Sequence, residues 1–321
     1  MFNPLVPFEP VSRDVIPTGP NWIAQIKWDG VRMLAYEDGQ GIQLINRRLH
    51  NRTAQYPELV QPRNLCSVPS YILDGEIIAL DPDTGKPSFY HVLRRDRMSR
   101  PDGIAQAVHQ IPVTYMVFDI LFCDGVWVTD QPLAERQRLL HQVLNPAPHV
   151  QEVTNTSDSD ALLTVMRQHQ MEGIVCKDLS STYGINGKDQ RWQKVKIFHD
   201  LYAMIGGVTY RSGIVNAIAV GVYDGPNFVY IGHVGTGKLN SDSWRKLTEE
   251  VQPLIRKDRP FHNLPERSAE TTWIEPQIGV KVQFMELTHH RTLRHPSIQA
   301  FASVTREECQ ASQISHLLVE R

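Results

Sequence analysis

The sequence predicts a protein of two domains, an α+β domain followed by a domain built mostly from β-strands. Its 321 residues correspond to about two domains of ordinary size. In the first part of the chain, short apolar runs alternate with two segments of helical periodicity. Roughly the last 120 residues instead contain short strand-like runs and a single helical segment.

Two strands and two helices stand out in the first domain. Apolar runs bounded by turn residues predict strands over 71–80 and 113–122. Helical periodicity predicts helices over 130–144, with Asp130 as candidate N-cap, and over 157–171.

The second domain begins where the texture of the sequence changes, near 198–202. Strand-like runs then follow one another, interrupted by a predicted helix over 241–255. In the run 278–287 apolar and polar residues alternate, which is the period of a strand with one wet face. Short strands with one helix suit a small barrel, for which the oligonucleotide-binding (OB) fold is the leading candidate. We therefore place the domains at 1–199 and 200–321.

The composition is that of an ordinary globular protein, with 41% hydrophobic and 21% charged residues. No apolar run approaches the roughly 20 residues of a membrane span, and the first residues lack the charged-then-apolar order of a secretory signal. The four cysteines lie far apart and form no CxxC pair, which disfavours a structural zinc site and a disulfide scaffold. These features predict a cytoplasmic protein without a membrane partner.

Positive charge is unevenly distributed along the chain. The net charge of −2 gives no support for nucleic-acid binding, but basic residues concentrate at 46–53, 93–100 and 289–295. Most such clusters are solvated faces. Three of them in one near-neutral protein favour a phosphate-rich partner, because phosphate contacts dominate the affinity for nucleic acids.

The segment QIKWDGVR, residues 25–32, places a lysine, an acid, a glycine and an arginine between two apolar runs. Gly30 lies where a tight turn would need a positive φ or a close approach of the backbone. Alone, the segment is equally compatible with the polar tip of a hairpin and with a functional site.

Ionisable residues also interrupt the predicted strands of the first domain. The interruptions are Asp74 with Glu76, Asp119 beside Phe118, Glu172 with Lys177, and Lys194 with Lys196. Each could be a paired buried carboxylate or a lysine that snorkels to solvent. Because uncompensated buried charges are costly, the set as a whole is better explained by a site for a charged ligand and a metal ion.

The residue types at this predicted site suit a nucleoside triphosphate. Basic groups suit phosphates, carboxylates suit a hard divalent cation that bridges them, and an aromatic ring offers a stacking face for a base. A lysine whose pKa is lowered by neighbouring cations becomes a nucleophile. The pattern therefore predicts a lysine that attacks the α-phosphorus of a nucleoside triphosphate.

The segment KWDGVR resembles the KxDGxR signature of the covalent nucleotidyltransferases, which comprise ATP-dependent DNA ligases, RNA ligases and mRNA capping enzymes. Further segments follow in the order typical of that family: NRRLHNRT, LDGEI, MVFDIL, EGIVCK and WQKVK. The second domain carries YIGHVGTG, WIEP and LRHPS, which resemble the barrel domain of bacterial ATP-dependent DNA ligases of the end-joining type. The resemblance covers essentially the whole chain.

The resemblance implies an α+β nucleotidyltransferase (adenylation) domain followed by an all-β OB-fold domain. It implies an ATP-dependent DNA ligase that seals 3′-OH/5′-phosphate nicks in duplex DNA through a lysyl-AMP enzyme intermediate and a DNA-adenylate. The implied cofactors are ATP and Mg²⁺ or Mn²⁺. The implied partners are nicked duplex DNA and DNA end-bridging repair proteins, for a monomer associated with the bacterial nucleoid that acts in DNA repair and recombination.

The resemblance also implies roles for individual residues, with Lys27 as the adenylylated nucleophile. The implied ATP-binding residues are Gln25, Lys27, Arg32, Arg47, Glu76, Phe118, Lys194, Lys196 and Arg294. Within this set Phe118 would stack on adenine, Glu76 would hold a ribose hydroxyl, and the two lysines of WQKVK would contact the α-phosphate. The implied metal ligands are Glu172, Glu76 and Asp29.

Nicked DNA would be contacted by five arginines: Arg32, Arg47, Arg94, Arg95 and Arg97. The last three belong to the basic stretch 93–100, which also contains Arg100. We interpret this stretch as a phosphate clamp beside the nick. The alternative is a solvated helix face.

Three positions depart from the family pattern. Gln25 replaces a glutamate that reads the adenine amino group, although an amide oxygen accepts the same hydrogen bond. Leu49 takes the place of the glycine in an RxG turn, which predicts a loop of different shape. Beyond Arg294, a second basic group that orients pyrophosphate is missing or displaced to Arg306, which predicts slow self-adenylylation.

Two alternative functions stay open at this point. An RNA ligase or capping enzyme would share the chemistry of the first domain, although LRHPS and WIEP favour the DNA enzyme. A non-catalytic nucleic-acid-binding relative would be favoured by the loss of Lys27, Glu172, Lys194 or Lys196, and all four are present.

Overall fold

The computed structural model describes residues 2–60, 64–288 and 290–317. The chain divides into two compact units, Met1–Ile197 and Phe198–Arg321, and each has a hydrophobic core of its own. Among the described residues, no helix has the length and apolar character needed to cross a membrane.

The described residues of the first unit form short strands and helices. The strands are Glu9–Arg13 (β1), Trp22–Ile26 (β2), Val31–Glu37 (β3), Gln43–Asn46 (β4), Tyr71–Ala79 (β5), Val113–Cys123 (β6), Val126–Trp127 (β7), Val150–Glu152 (β8), Gly173–Asp178 (β9) and Lys188–Lys196 (β10). The α-helices are Pro57–Val60 (α1), Phe89–Asp96 (α2), Pro101–Gln110 (α3), Leu133–Val143 (α4) and Ser159–Gln168 (α5).

The strands of the first unit form two sheets. The smaller sheet has the order β1-β10-β9-β2, and the larger has the order β4-β3-β5-β6-β7, with β8 added alongside β6. Strands β2 and β3, which flank the segment KWDGVR, therefore lie in different sheets. The interpretation of this segment as a hairpin tip is wrong, because it carries the chain from one sheet to the other.

The larger sheet is buried on both faces, as its alternating side chains show. Met33 and Ala35 belong to the core cluster that includes residues of α1, α2 and α4. Leu34 and Tyr36, on the opposite face of the same strand, belong to a second cluster that includes Trp192 of β10. This second cluster lies between the two sheets. Predicted site residues lie two positions away from its members on the same strands: Arg32 precedes Leu34 on β3, and Lys194 follows Trp192 on β10.

The strands predicted over 71–80 and 113–122 are present as β5 and β6, and both predicted helices are present but shorter. Helix α4 begins at Leu133, and no side chain caps it, so Asp130 is not its N-cap. Helix α5 begins at Ser159, where the side chain of Asp158 accepts a hydrogen bond from the backbone N–H of Ala161.

The described residues of the second unit are mostly β-structure. The strands are His199–Arg211 (β11), Ile214–Asp224 (β12), Asn227–Val234 (β13), Thr272–Trp273 (β14), Gly279–Phe284 (β15), Glu286–Leu287 (β16), Leu293–Arg294 (β17) and Ser297–Ala302 (β18), and the α-helix is Ser241–Glu250 (α6). The main sheet has the order β13-β12-β11-β15-β18, with β14 paired to β11. The predicted helix over 241–255 and the predicted strand over 278–287 are both present with slightly narrower bounds.

Helix α2 carries two of the arginines of the predicted clamp, Arg94 and Arg95, which lie in different environments, and Arg97 follows the helix. Arg95 is fully buried, and its Nη2 donates to both carboxylate oxygens of Glu58, at 2.6 and 2.8 Å. The prediction that Arg95 contacts DNA is therefore wrong, because its guanidinium holds α2 against α1. Arg94 and Arg97, like Arg100 beyond the helix, are exposed.

We expect Arg95→Ala to lower the free energy of unfolding by about 3–5 kcal/mol, because it leaves the Glu58 carboxylate uncompensated in a buried place. Urea denaturation followed by circular dichroism measures the effect. The matched control, Arg94→Ala, removes the same charge from the exposed side of the helix and should change stability by less than about 0.5 kcal/mol. Equal losses in the two variants would contradict a buried structural pair.

Candidate active site

Lys27 lies at the junction of the two sheets, directly after β2. Its backbone N–H donates to the carbonyl oxygen of Gly173 at 3.0 Å, which fixes the segment to the start of β9. Its Nζ lies 2.5 Å from Oε2 of Glu172, and Nζ of Lys196 lies 3.1 Å from Oε1 of the same carboxylate. One carboxylate thus bridges two lysines at the point where the sheets meet.

The charges around this carboxylate determine the pKa of the neighbouring groups. Burial would raise the pKa of Glu172, but Lys27 and Lys196 together lower it below its ordinary value. Burial lowers the pKa of Lys194, and the two nearby lysines lower it further. Two lysines that share the Glu172 carboxylate, with Lys194 close enough to be affected by both, form a group of cations that suits a polyphosphate.

Gly30 brings the KWDGVR segment against strand β5. A Cβ atom at this position would lie 2.3 Å from the carbonyl oxygen of Ile77 and 2.9 Å from Cγ of Glu76. Of the two explanations that the sequence left open for this glycine, the structure supports close approach rather than a positive φ. Only glycine allows the segment to pack this tightly beside Glu76.

Arg32 is held from behind by a buried carboxylate. Its Nε and Nη2 donate to the two oxygens of Asp74 at 2.7 and 2.6 Å, and Nη2 also donates to the carbonyl oxygen of Phe8 at 3.0 Å. The hydroxyl of Tyr183 donates to the same carboxylate at 2.7 Å. Since a guanidinium has five N–H groups, the two on Nη1 have no acceptor among the described residues. They are the ones that a ribose or phosphate oxygen could use.

The ring of Phe118 lies among cations. The Arg32 guanidinium carbon lies 4.8 Å from the ring centroid, and Nζ of Lys177 lies 4.2 Å from it. Nζ of Lys177 is also 3.9 Å from the ring centroid of Trp192. Burial lowers the pKa of this lysine to about 7. In the sequence, Lys177 was one of the charged residues that interrupt a predicted strand, and no role was assigned to it. The structure places its Nζ against the ring of Phe118, which is predicted to stack on the base.

Asp119, beside Phe118, is a paired structural carboxylate. It is fully buried with Arg136 of α4, whose Nε and Nη2 donate to its two oxygens at 2.8 and 2.9 Å. The interpretation of a buried carboxylate with a basic partner therefore holds for Asp119, as it does for Asp74.

Gln25 is buried on β2, and its side chain belongs to a group of three amides. Its Nε2 donates to Oδ1 of Asn155 at 2.7 Å. The third amide is that of Gln137 on α4, whose Oε1 accepts from Nδ2 of Asn155 at 2.9 Å. The sequence did not indicate Gln137 or Asn155. The signal for Gln137 was its position on the apolar face of α4, between Leu133 and Leu140.

The predicted metal ligands do not form a preformed metal centre. Among the described residues, no three His, Cys, Asp or Glu side chains are grouped to hold a metal ion, so Glu172, Glu76 and Asp29 do not converge on one point. Burial raises the pKa of Glu76 to about 8, although Lys27 and Arg32 act in the opposite direction. Mg²⁺ is commonly held by one or two carboxylates together with substrate phosphates. This donor set fits that arrangement and does not fit a cage made of protein ligands alone.

The remaining predicted residues of the first unit lie at its surface. Arg47 is exposed and forms an ion pair with Glu9 of β1. Leu49 has a φ of +64°, in the left-handed region that glycine favours. Leu49 therefore adopts the backbone conformation that a glycine would adopt at this position. The expectation that its presence gives the loop a different shape is not supported by this φ angle.

The two arginines of the C-terminal motif lie in the second unit. Arg294 of β17 forms an ion pair with Glu286 of β16. The guanidinium of Arg306 lies 4.3 Å from the ring centroid of Tyr223 and donates to the carbonyl oxygens of Gly225 and Pro226. These contacts make Arg306 part of the β12–β13 turn. His289, the first residue of the third basic stretch, lies outside the described residues.

Comparisons with known proteins agree with the geometry of this site. Residues 7–196 match the family model described as ATP dependent DNA ligase domain, and residues 211–303 match that of the ATP dependent DNA ligase C terminal region. The chain belongs to the family of ATP-dependent DNA ligases.

Curated relatives are longer than this chain. The DNA ligase of Thermococcus fumicolans is 29% identical, over 82% of this chain and 47% of the relative. The multifunctional non-homologous end joining protein LigD of Mycolicibacterium smegmatis is 28% identical, over 86% of this chain and 35% of the relative. The chain thus spans about half or less of the length of these relatives.

Solved structures of this ligase family cover nearly the whole chain. The ligase domain of M. tuberculosis LigD is 25% identical with a TM-score of 0.52, over 95% of this chain and 97% of that domain. A Lig E DNA ligase, at 18% identity and a TM-score of 0.59 over 88% of this chain, shares the fold. The predicted fold, an adenylation domain followed by an OB-fold domain, is confirmed, and so is the predicted resemblance to ligases of the end-joining type.

We expect Glu76→Gln to change how the stability of this protein depends on pH. Because the pKa of Glu76 is about 8 in the folded protein and near 4.3 in an unfolded chain, the native state keeps a proton that the unfolded state loses. The glutamate therefore destabilises the native state progressively as pH rises from about 4 to about 8.

Melting temperatures measured from pH 4.5 to 9 in EDTA test this expectation. At the acidic end of this range, the melting temperature of the variant should equal that of the wild-type protein. At pH 8 and higher, the melting temperature of the variant should be the higher of the two. Parallel curves across the whole range would show that Glu76 titrates normally.

Proposed function

We propose that this chain catalyses ATP-dependent sealing of 3′-OH/5′-phosphate nicks in duplex DNA, through a lysyl-AMP intermediate on Lys27 and a DNA-adenylate. The observation that carries the proposal is the position of Lys27. It lies at the junction of the two sheets, bonded to Glu172, with the two lysines of β10 beside it. In this proposal the chemistry belongs to residues 1–199, and residues 200–321 bind the duplex.

The lysine cluster suits the first step of such a reaction. Nζ of Lys27 forms a bond to the α-phosphorus of ATP, while the bond from that phosphorus to the bridging oxygen breaks and pyrophosphate leaves. Oε2 of Glu172, at 2.5 Å, is the nearest acceptor for the proton that the ammonium must release. Lys194 and Lys196 lie where they can offset the negative charge that develops on the phosphate oxygens.

The same site suits ATP and a divalent cation. Phe118 offers a ring for the base, and Oε1 of Gln25 offers an acceptor for the 6-amino group. Mg²⁺ or Mn²⁺ bound to the phosphates would take a carboxylate from among Glu172, Glu76 and Asp29, and would neutralise triphosphate charge.

One partly buried arginine, Arg32, and four exposed arginines of the first unit suit the DNA backbone. Arg32, through the N–H groups on Nη1, and Arg47 would contact the 5′-phosphate side of the nick. Arg94, Arg97 and Arg100 would extend this contact over neighbouring phosphates. Because similar proteins are named for non-homologous end joining, we propose a monomer that acts in bacterial DNA repair and recombination, at the nucleoid, on ends held by end-bridging proteins.

Lys27→Ala should abolish the covalent adenylate, because no other lysine occupies the position from which Nζ attacks. Intact-protein mass spectrometry after incubation with ATP and Mg²⁺ measures the added AMP. Lys188→Ala, which removes an exposed lysine of the same domain, serves as the control and should keep it. AMP that still attaches to the Lys27→Ala chain would place the nucleophile elsewhere.

The triple variant Arg94→Ala, Arg97→Ala and Arg100→Ala should retain self-adenylylation, which uses no DNA, and should no longer seal nicks at moderate salt. Removing one phosphate contact lowers the slope of log affinity against log salt by about one unit. Nick binding and sealing across a salt series measure both effects.

The matched control replaces Arg13, Arg138 and Arg167, which are also exposed arginines of the first unit, with alanine. It changes the net charge of the protein by the same amount. The comparison therefore distinguishes the loss of phosphate contacts made by the 94–100 surface from a general loss of electrostatic attraction to DNA. Identical salt slopes in the two triple variants would mean that the 94–100 surface is only a solvated face.

A further inference from the structure

Three amide side chains form a continuous series of hydrogen bonds that ends on the backbone. Nε2 of Gln137 donates to the carbonyl oxygen of Phe118 at 2.7 Å, Nδ2 of Asn155 donates to Oε1 of Gln137 at 2.9 Å, and Nε2 of Gln25 donates to Oδ1 of Asn155 at 2.7 Å. Nε2 of Gln25 also makes a longer contact, 3.5 Å, to Oε1 of Gln137. Gln25 and Gln137 are buried, whereas Asn155 is exposed. We refer to Gln25, Asn155 and Gln137 as the amide relay.

The backbone end of the amide relay determines which way each amide points. A carbonyl oxygen can only accept a hydrogen bond, so Gln137 must turn its NH₂ toward Phe118 and its oxygen toward Asn155. Asn155 must then donate to that oxygen and turn its own oxygen toward Gln25. Gln25 must donate with Nε2, which leaves its Oε1 as an acceptor that no described residue engages.

This order matters because Gln25 is an amide rather than a carboxylate. A glutamate presents an acceptor whichever way it rotates, while a glutamine presents either an acceptor or a donor. An acceptor favours the 6-amino group of adenine and disfavours a 6-oxo group. A glutamine rotated by half a turn would reverse that preference. The same relay ends on Phe118, so the group that reads the base and the ring that stacks on it are tied together.

We propose that Asn155 and Gln137 are positioning residues for base selection, which hold Gln25 with its oxygen toward the base and so make the site selective for a 6-aminopurine nucleotide. The inference rests on the proposed function, because it places the nucleotide base between Gln25 and Phe118. It goes beyond that function in assigning the selectivity to two residues that do not themselves touch the reacting atoms.

The test compares equilibrium binding of ATP and ITP, which carries a 6-oxo group in place of the amino group. It uses the full chain with Lys27→Ala, so that no covalent step intervenes. The Lys27→Ala chain with an unaltered amide relay should bind ATP about 100-fold more tightly than ITP. Asn155→Ala leaves Gln25 only its longer contact to Gln137, and Gln137→Met removes that contact together with the group that orients Asn155. Each variant should therefore reduce the ratio by about tenfold, in part by tightening ITP binding, because a less restrained Gln25 can rotate and donate to the 6-oxo group.

Tighter binding of ITP is the decisive result, because damage to the fold would weaken the binding of ATP and ITP together. Asn155 is exposed, so its alanine variant should fold normally. Gln151→Ala is the matched control, because Gln151 is an exposed amide of the same domain whose Nε2 donates to the carbonyl oxygen of Ala147, outside the relay. Its ATP-to-ITP ratio should match that of the unaltered relay.

A second arm adds Gln25→Glu to the Asn155→Ala chain. A carboxylate needs no orientation, so this double variant should recover the preference for ATP. Unchanged ratios in Asn155→Ala and Gln137→Met, equal weakening of both nucleotides, or no recovery with Gln25→Glu would each overturn the proposal. Transfer of AMP to the native chain is scored separately, so a failure of the proposed ligase function would be distinct from a failure of base selection by the amide relay.

Discussion

The buried pair of Arg32 and Asp74 is the interaction on which the candidate site most depends. Asp74 is fully buried in the middle of β5, where an unpaired carboxylate would be strongly unfavourable. Its oxygens receive hydrogen bonds from Arg32 and from Tyr183. A buried pair is weak evidence of stability in itself, because desolvation offsets much of the attraction. Its value here is geometric, since it fixes an arginine between two sheets.

The same constraint explains why charged residues are tolerated so deep in the first unit. The rows of side chains between the sheets change from apolar to charged at intervals of two residues: Trp192 is followed by Lys194 and Lys196 on one strand, and Leu34 is preceded by Arg32 on another. The apolar members pack the sheets together, and the charged members reach the junction where Lys27 lies. Packing and chemistry are thus carried by one face of the same strands.

Much of this arrangement could be predicted from the sequence, because strand periodicity and the charged interruptions are local signals. Asp74, Glu76, Lys194 and Lys196 stood out because they broke apolar runs. The placement of β2 and β3 in different sheets could not be predicted in the same way, since two strands joined by four residues normally form a hairpin. Arg95 was misassigned because an arginine-rich stretch does not show which side chain faces the core.

The amide relay escaped prediction for a different reason. Its members lie on β2, on α4 and in the segment after β8, and no periodicity links them. Uncharged amides also do not break an apolar pattern as a lysine does. What the sequence showed was only the departure at Gln25, which weakened the expectation of base recognition.

The amide relay makes glutamine acceptable in place of glutamate at position 25. A carboxylate presents an acceptor to the base in any orientation, and the hydrogen bonds of the relay make the amide of Gln25 do the same. Gln25 is buried, and a carboxylate in its place would have to be taken out of water, which is costly for a charged group. A neutral acceptor avoids that cost, provided that its neighbours hold it in one of its two orientations.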